Sequence, residues 1–227
     1  METNYKRIAG FALSRKGKSE KQFRKFKRWN EDLVSLVSHL IFDGEIAYRG
    51  CIYNNRNDTL LEKVEKAMAK IYKHTPKRYV NKVTGVKRIS YYNVALAAYV
   101  KQKSDQLITN VSIFPKRFKR KFVEAFFDDE GCIDYRPKQN RRKIRGYQKN
   151  IPILHMIKKL LEEFEIESRI VKPNEVVISG KENLQKFQKE INFSPGVKLN
   201  ENRSNSIWKK PLEKRFLLDQ AIKSFKS

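Results

Sequence analysis

The chain has 227 residues, with 50 Lys or Arg against 25 Asp or Glu, so its formal net charge is +25. Its apolar fraction of 40% is enough for a packed core, which excludes a disordered chain, and its two cysteines exclude a disulfide scaffold and a four-ligand zinc site. A charge of this size attracts polyanions and predicts nucleic acid as the partner.

Membrane association is not expected from the sequence. No apolar run approaches the roughly 18 residues that span a bilayer, and the N-terminus lacks an apolar signal core. Basic residues are spread over many predicted elements rather than along one amphipathic helix, so we expect no membrane partner. We expect a prokaryotic cytoplasm, with an organelle as the alternative because residues 1–30 are rich in Lys and Arg.

The first predicted helix begins at Asn30, a good N-cap residue, and is followed at once by Glu31 and Asp32, which the helix dipole favours. It ends at Asp43-Gly44. The pattern then predicts a tight hairpin around residues 49–50, an amphipathic helix over 58–73, two short strands on either side of 84–85, and a helix over 92–103.

The same order occurs a second time. A helix starts after Pro115 and ends at Glu130-Gly131, and it is followed by strands over 132–136 and up to about 149, a helix over 151–164, strands around 173–174 and a helix over 181–191. We therefore predict an α+β fold of two pseudo-symmetric αββαββα halves, 31–110 and 111–200. A basic N-terminal extension, 1–30, and a tail helix within 201–227 flank them.

The helix that opens each predicted half, called a motif helix below, ends on an acid: Asp43 in the first half and Glu130 in the second. The helix dipole disfavours a carboxylate at this end by about 0.3–1 kcal/mol. A single Asp-Gly is an ordinary helix exit. Its recurrence at equivalent points of two halves indicates a function: if the two apolar helices pack together, the carboxylates meet and need a cation. Hard oxygen ligands of this kind suit Mg²⁺.

Residues 36–44 (LVSHLIFDG) and 123–131 (VEAFFDDEG) resemble the two signature helices of monomeric LAGLIDADG proteins. The resemblance implies halves packed through parallel motif helices, saddle-shaped antiparallel sheets on duplex DNA, and two or more Mg²⁺ ions bound by Asp43 and Glu130. It further implies a monomeric, site-specific double-strand DNA endonuclease of the homing type, which hydrolyses phosphodiester bonds and serves intron homing.

Three further catalytic residues are suggested by position. Asn54 and Gln148 lie at matched places near the end of the second strand of each half and could hold metal-bound water; a polar strand end is the alternative interpretation. Lys198 resembles the basic residue that LAGLIDADG enzymes place near the scissile phosphate.

A basic segment in the second half predicts the DNA-contacting surface, because residues 136–149 contain seven bases and no acid. Contacts of such residues with phosphates give affinity and register without reading sequence. The predicted DNA-binding residues are Arg49, Lys116, Arg136, Lys138, Arg141, Arg142, Lys143, Arg145 and Lys149.

Two departures from the family pattern keep a second function open. Only ten positions separate Gly44 from Asn54, against seventeen between Gly131 and Gln148, so we expect the halves to contact DNA unequally. Glu124 also occupies a position where the family favours small residues. The alternative is a non-cleaving LAGLIDADG-like binder, either a transcription regulator or a maturase whose partner is intron RNA. Retention of both Asp43 and Glu130 favours the enzyme.

Overall fold

The computed structural model describes residues 25–26, 28–72, 75–199 and 211–225. The chain divides into two compact units, one comprising residues 1–55 and 61–109 and the other residues 56–60 and 110–227. Most of the predicted N-terminal extension lies outside the described residues. In the part of the chain that the structure describes, no helix combines the length and the apolar character needed to cross a membrane.

The first helix of the first unit begins after its N-cap residue Asn30, whose Oδ1 accepts the Leu33 N–H over 2.9 Å. The elements in this part of the chain are α1 (Glu31–Phe42), β1 (Gly44–Ala47), β2 (Gly50–Asn55), α2 (Asp58–Ala69), β3 (Lys77–Val80), β4 (Lys87–Tyr91) and α3 (Val94–Asn110). The start of α2, up to residue 60, and the last residue of α3 belong to the second unit. The strands form one antiparallel sheet in the order β1-β2-β4-β3.

The second unit repeats this order with longer central strands and an added tail helix. Its elements are α4 (Lys116–Glu130), β5 (Gly131–Arg136), β6 (Arg141–Tyr147), α5 (Ile151–Glu162), β7 (Ser168–Val171), β8 (Glu175–Ser179), α6 (Lys181–Glu190) and α7 (Lys214–Lys223). The sheet order is β5-β6-β8-β7, again antiparallel. The predicted α+β repeat is thus confirmed, with α2 ending earlier and α3 extending further than the sequence pattern indicates.

One face of each sheet forms the core. In the second unit Ile133, Ile144 and Ile178 are register partners on neighbouring strands, and all three side chains are buried. Phe127 of α4 packs edge-on against Phe187 of α6, with ring centroids 4.9 Å apart. Because side chains alternate along a strand, the residues next to these isoleucines project from the opposite side of the sheet, and every second residue from them along β5, β6 and β8 does the same. That side, which carries Asp134, Arg145 and Val177, is called the outer face below.

Candidate functional site

Each motif helix passes directly into a strand through an acid and a glycine. Asp43 follows α1 and its backbone N–H donates to the His39 carbonyl over 3.1 Å, whereas Glu130 is the last residue of α4. A Cβ on Gly44 would lie 2.6 Å from the Leu40 carbonyl oxygen, and one on Gly131 would lie 2.4 Å from that of Phe127. Only glycine fits both turns, so the chain fixes each acid at a helix-strand junction.

The neighbouring residues Asn54 and Asn55, at the end of β2, form hydrogen bonds with different partners. Asn55 donates its Nδ2 to Oδ2 of Asp43 over 2.8 Å, and the same nitrogen lies 3.2 Å from the Tyr53 hydroxyl oxygen. Asn54 instead accepts the Arg88 Nε–H through Oδ1 over 2.9 Å. The structure therefore brings Asn55, which sequence reasoning missed, to the acid, and directs the predicted residue Asn54 to the other face of the strand.

Gln148 lies at the turn between β6 and α5. Its backbone N–H donates to the Asn174 carbonyl over 3.1 Å, and its Oε1 accepts the Asn150 N–H over 3.2 Å. The amide oxygen that the sequence assigns to a metal-bound water thus takes part in the turn that starts α5.

A buried lysine from the tail helix binds the end of α4. Nζ of Lys214 donates to the carbonyl oxygens of Phe127 and Asp128 over 3.1 and 2.7 Å. A cation is favoured there because the last carbonyls of a helix carry partial negative charge. Sequence reasoning missed Lys214, because its position in a basic tail carries no local signal that distinguishes it from solvated lysines.

The loop that carries Lys198 is fastened to α4 by a buried hydrogen-bond network. Ser194 donates its backbone N–H to Oδ1 of Asp128 over 2.8 Å, and its Oγ lies 2.5 Å from Oδ2 of Asp128 and 2.8 Å from Oε1 of Glu124. Asp128 is only 2% exposed. This network explains why Glu124 replaces a small residue in the motif: its side chain has a partner in the loop.

Lys198 itself is exposed, while its main chain is fixed. It forms an isolated antiparallel bridge with Glu213, and its carbonyl accepts the Asn57 Nδ2–H over 2.9 Å. Oε1 of Glu213 also accepts the Gly196 N–H over 2.8 Å. The ammonium group of Lys198 therefore extends into solvent from a well-anchored backbone.

Four of the predicted DNA-binding residues share the outer face of the second sheet: Arg136, Arg141, Lys143 and Arg145. Arg142 lies on the opposite face, where its guanidinium donates to the hydroxyl and carbonyl of Ser224 over 2.7 and 2.9 Å. It is a structural anchor for the end of α7.

The other predicted DNA-binding residues lie off this face. Arg49 is exposed in the β1–β2 turn, Lys138 in a 3₁₀ turn between β5 and β6, and Lys149 after β6. Lys116 begins α4, where its Nζ lies 5.0 Å from the centroid of the Phe164 ring.

Two carboxylates sit among the outer-face arginines. Asp134 lies 2.9 Å from Arg136, 3.9 Å from Arg141 and 3.8 Å from Arg145, measured between its oxygens and guanidinium nitrogens. Glu175 accepts two hydrogen bonds from Arg145, at 3.0 and 2.5 Å. The hydrogen bond to Glu175 raises the pKa of the Arg145 guanidinium. Both acids lie outside 136–149, so the charge count of that segment does not reveal them.

The sheet of the first unit carries a different surface. A cleft of about 340 Å³ is lined by Lys77, Arg78, Tyr79, Arg88, Ser90 and Tyr92. The Lys77 ammonium lies 5.5 Å from the Tyr92 ring centroid, and both Tyr79 and Tyr92 are more than half exposed. This surface is aromatic and modestly basic, whereas the outer face of the second sheet is arginine-rich.

The acids at the two junctions are hard oxygen donors, the ligand type that suits Mg²⁺. Within the described ranges, no three His, Cys, Asp or Glu side chains cluster as a ready-made cage. Mg²⁺ is usually held by one or two carboxylates, with water and substrate phosphates completing the shell. Asp43 and Glu130 each offer one carboxylate at their own junction.

Comparison with protein families matches residues 117–192 to the LAGLIDADG-like domain. A search of curated proteins found no match to the chain. The matched range contains most of α4 and the complete second sheet.

Solved structures share the fold of the whole repeat. Variants of the homing endonuclease I-DmoI are 16% identical, with 74% of this chain and 97% of that chain covered and a TM-score of 0.56. A complex of an I-DmoI variant with its target DNA in the presence of magnesium gives 16% identity, 71% and 98% coverage and a TM-score of 0.53. Full-length DUF199/WhiA from Thermotoga maritima gives 13% identity, 90% and 63% coverage and a TM-score of 0.57.

Proposed function

We propose that this protein, a member of the LAGLIDADG family, is a site-specific double-strand DNA endonuclease of the homing type. The observation that carries the proposal is the acid-glycine junction, formed in both units by the same passage from helix to strand. A binder has no evident need for two such acids near a polyanion. The likeness to a homing endonuclease, also solved with its target DNA, supports this choice.

Asp43 and Glu130 are the proposed magnesium ligands. Bound divalent ions would polarise the scissile phosphates and lower the pKa of the attacking water. The chain's part is to hold the carboxylates still: Asn55 orients Asp43, and Lys214 binds the end of the helix that carries Glu130.

Lys198 is the proposed contact for the scissile phosphate in the second unit. Its ammonium is exposed on an anchored loop, so it can approach a phosphate oxygen with little loss of backbone entropy on binding. Asn54 and Gln148 are the residues that the sequence proposes for orienting water, but Asn54 is bonded to Arg88 and Gln148 to the turn before α5. Asn55 is the stronger candidate because it already contacts an acid.

Duplex DNA is the proposed partner, bound by one copy of the chain. The outer face of the second sheet supplies Arg136, Arg141, Lys143 and Arg145, whose contacts to phosphate or base would be strongly salt-dependent. Lys116, Lys138, Lys149 and Arg49 extend the basic surface beyond this face.

A non-cleaving nucleic-acid binder is the second candidate, as a transcription regulator or an intron RNA maturase. The observation in its favour is the short first hairpin: β1 has 4 residues and β2 has 6, against 6 and 7 for β5 and β6. DUF199/WhiA, a protein described by its LAGLIDADG domain rather than as an endonuclease, covers 90% of this chain.

The deciding experiment selects bound duplexes from a randomised library in Ca²⁺ and transfers the enriched duplexes to Mg²⁺. A protein with Asp43→Asn and Glu130→Gln is run in parallel. Double-strand cutting by the native protein alone supports the endonuclease. Selective binding without cutting overturns it in favour of the regulator or maturase, and structured RNA is then the next ligand to test.

A further inference from the structure

The Arg145 side chain on the outer face is oriented by a carboxylate. Its Nε and Nη2 donate to the two oxygens of Glu175, over 3.0 and 2.5 Å. Its Nη1 lies 3.8 Å from Oδ2 of Asp134, on the neighbouring strand β5. A long side chain that is otherwise free to rotate is thus held in one plane by Glu175 of β8.

We propose that Arg145 recognises a guanine in the major groove, with Glu175 as the residue that positions it. The inference rests on the proposed binding of duplex DNA and adds a determinant of base preference. It replaces the phosphate contact that the charge pattern assigns to Arg145.

The charges argue against a phosphate contact. An acid on a surface that binds a polyanion weakens binding, and Glu175 neutralises the guanidinium that it holds. An arginine that served only to attract phosphate would gain nothing from such a partner. What Glu175 provides is a fixed direction, which matters for reading a base edge and hardly at all for a diffuse negative charge.

The hydrogen-bond donors fit a base. A guanidinium has five N–H groups, and Glu175 engages the Nε side and one hydrogen of Nη2. The edge formed by Nη1 and the outer hydrogen of Nη2 is directed away from Glu175. Two parallel N–H groups match O6 and N7 of guanine, which are both acceptors, whereas adenine places a donor at the position of O6.

Lys143 provides an internal contrast. It lies on the same strand and the same outer face as Arg145, two positions away. Asp134 is its register partner on β5, but its ammonium forms no ion pair with a carboxylate of the described residues. Its rotatable ammonium is a point charge suited to a phosphate. The two neighbouring cations are therefore assigned different roles because Arg145 is ion-paired with a carboxylate and Lys143 is not.

The test compares binding preferences from the Ca²⁺ selection for four proteins: native, Arg145→Gln, Glu175→Gln and the matched control Lys143→Gln. We expect the native protein to prefer G at one position and Arg145→Gln to lose that preference by about 10- to 100-fold. Glu175→Gln should weaken the preference at the same position while total affinity stays equal or rises. Lys143→Gln should weaken all sequences alike and reduce the salt slope by about 0.9.

Different failures are distinguishable. If the native protein enriches no duplex, the proposed function fails. If duplexes are enriched but Arg145→Gln weakens every sequence equally and lowers the salt slope, Arg145 contacts phosphate and the guanine inference is overturned. Should Arg145→Gln not fold, as judged by its circular dichroism and melting temperature, Glu175→Gln decides alone: a rise in affinity with an unchanged base preference would overturn the inference.

Discussion

Ser194 donates its backbone N–H to Oδ1 of Asp128 over 2.8 Å, joining residues 66 positions apart. The bond is buried and links the loop that carries Lys198 to the helix that ends at Glu130. In the second unit, a basic residue and a motif acid are thereby held in one rigid frame.

Ser194→Ala tests this frame. Loss of the hydroxyl removes a partner from both Asp128 and Glu124, so we expect a free-energy cost of about 1–3 kcal/mol, measured by urea unfolding. The cleavage rate should fall while DNA affinity is kept. In a protein that already carries Lys198→Met, Ser194→Ala should lower the cleavage rate little further, because the Ser194 network acts on the rate by positioning the Lys198 ammonium.

The matched control is Ser112→Ala, at an exposed serine of a short 3₁₀ helix, which should alter neither stability nor rate. An equal loss of rate from Ser194→Ala with and without Lys198 would contradict the link between the network and this lysine.

The double variant Asp43→Asn with Glu130→Gln should abolish cleavage and keep or increase DNA affinity, because two negative charges near phosphates are removed. Gel-shift titration and a cleavage assay on the selected duplex measure both. Glu62→Gln, on the exposed side of α2, is the control for charge alone. Loss of binding together with cleavage would instead give the two acids a structural role.

Salt should weaken binding steeply. If about eight phosphates are contacted, a plot of log K against log salt has a slope near −7. Titrations of the selected duplex at several salt concentrations give this slope. A flat response would be incompatible with a basic outer face as the contact surface.

The two cysteines differ in their exposure to solvent. Cys51 is buried and its pKa is raised to about 12 by desolvation, so its thiol should resist alkylation at pH 8. Cys132 is partly exposed on the outer face, as the register partner of Arg145. Mass spectrometry should find one label on the folded protein, and saturating duplex DNA should protect it. Unchanged labelling of Cys132 under DNA would place the duplex elsewhere.

The raised pKa of the Cys51 thiol lowers the free energy of unfolding at alkaline pH. The unfolded thiol ionises near its ordinary pKa of 9, while the folded one stays protonated to about 12, so the unfolded chain binds fewer protons above pH 9. Between pH 8 and 10 the contribution is roughly 1 kcal/mol of lost stability. Urea unfolding at the two pH values should show a smaller loss for Cys51→Ala than for the native chain.

Element order and the positions of the two acids follow from the sequence, because periodicity, caps and glycines are local signals. Which of two neighbouring strand residues faces the site does not follow from the sequence, because a shift of one position reverses the face. The charge pattern predicts DNA contacts for both Arg141 and Arg142, but their side chains lie on opposite faces of the sheet, since one step along a strand reverses the side chain. For the same reason Asn55, rather than Asn54, reaches Asp43.

Pairings between distant segments could not be predicted at all. Glu175 meets Arg145 only because β8 lies beside β6, and Lys214 reaches α4 only because the tail helix packs in the second unit. A linear count of charges treats Glu175 as remote from the basic segment. The sheet order makes it the immediate neighbour of that segment's central arginine.

The contacts of Lys214 and Arg142 set the boundaries of any fragment meant to carry the second unit alone. A piece ending before residue 211 would remove both the ammonium that binds the Phe127 and Asp128 carbonyls and the Ser224 acceptors of Arg142. The freed guanidinium would become an additional positive charge without its native geometry. Chimeras that exchange half-proteins to alter DNA targets should therefore transfer the tail helix together with the motif helix.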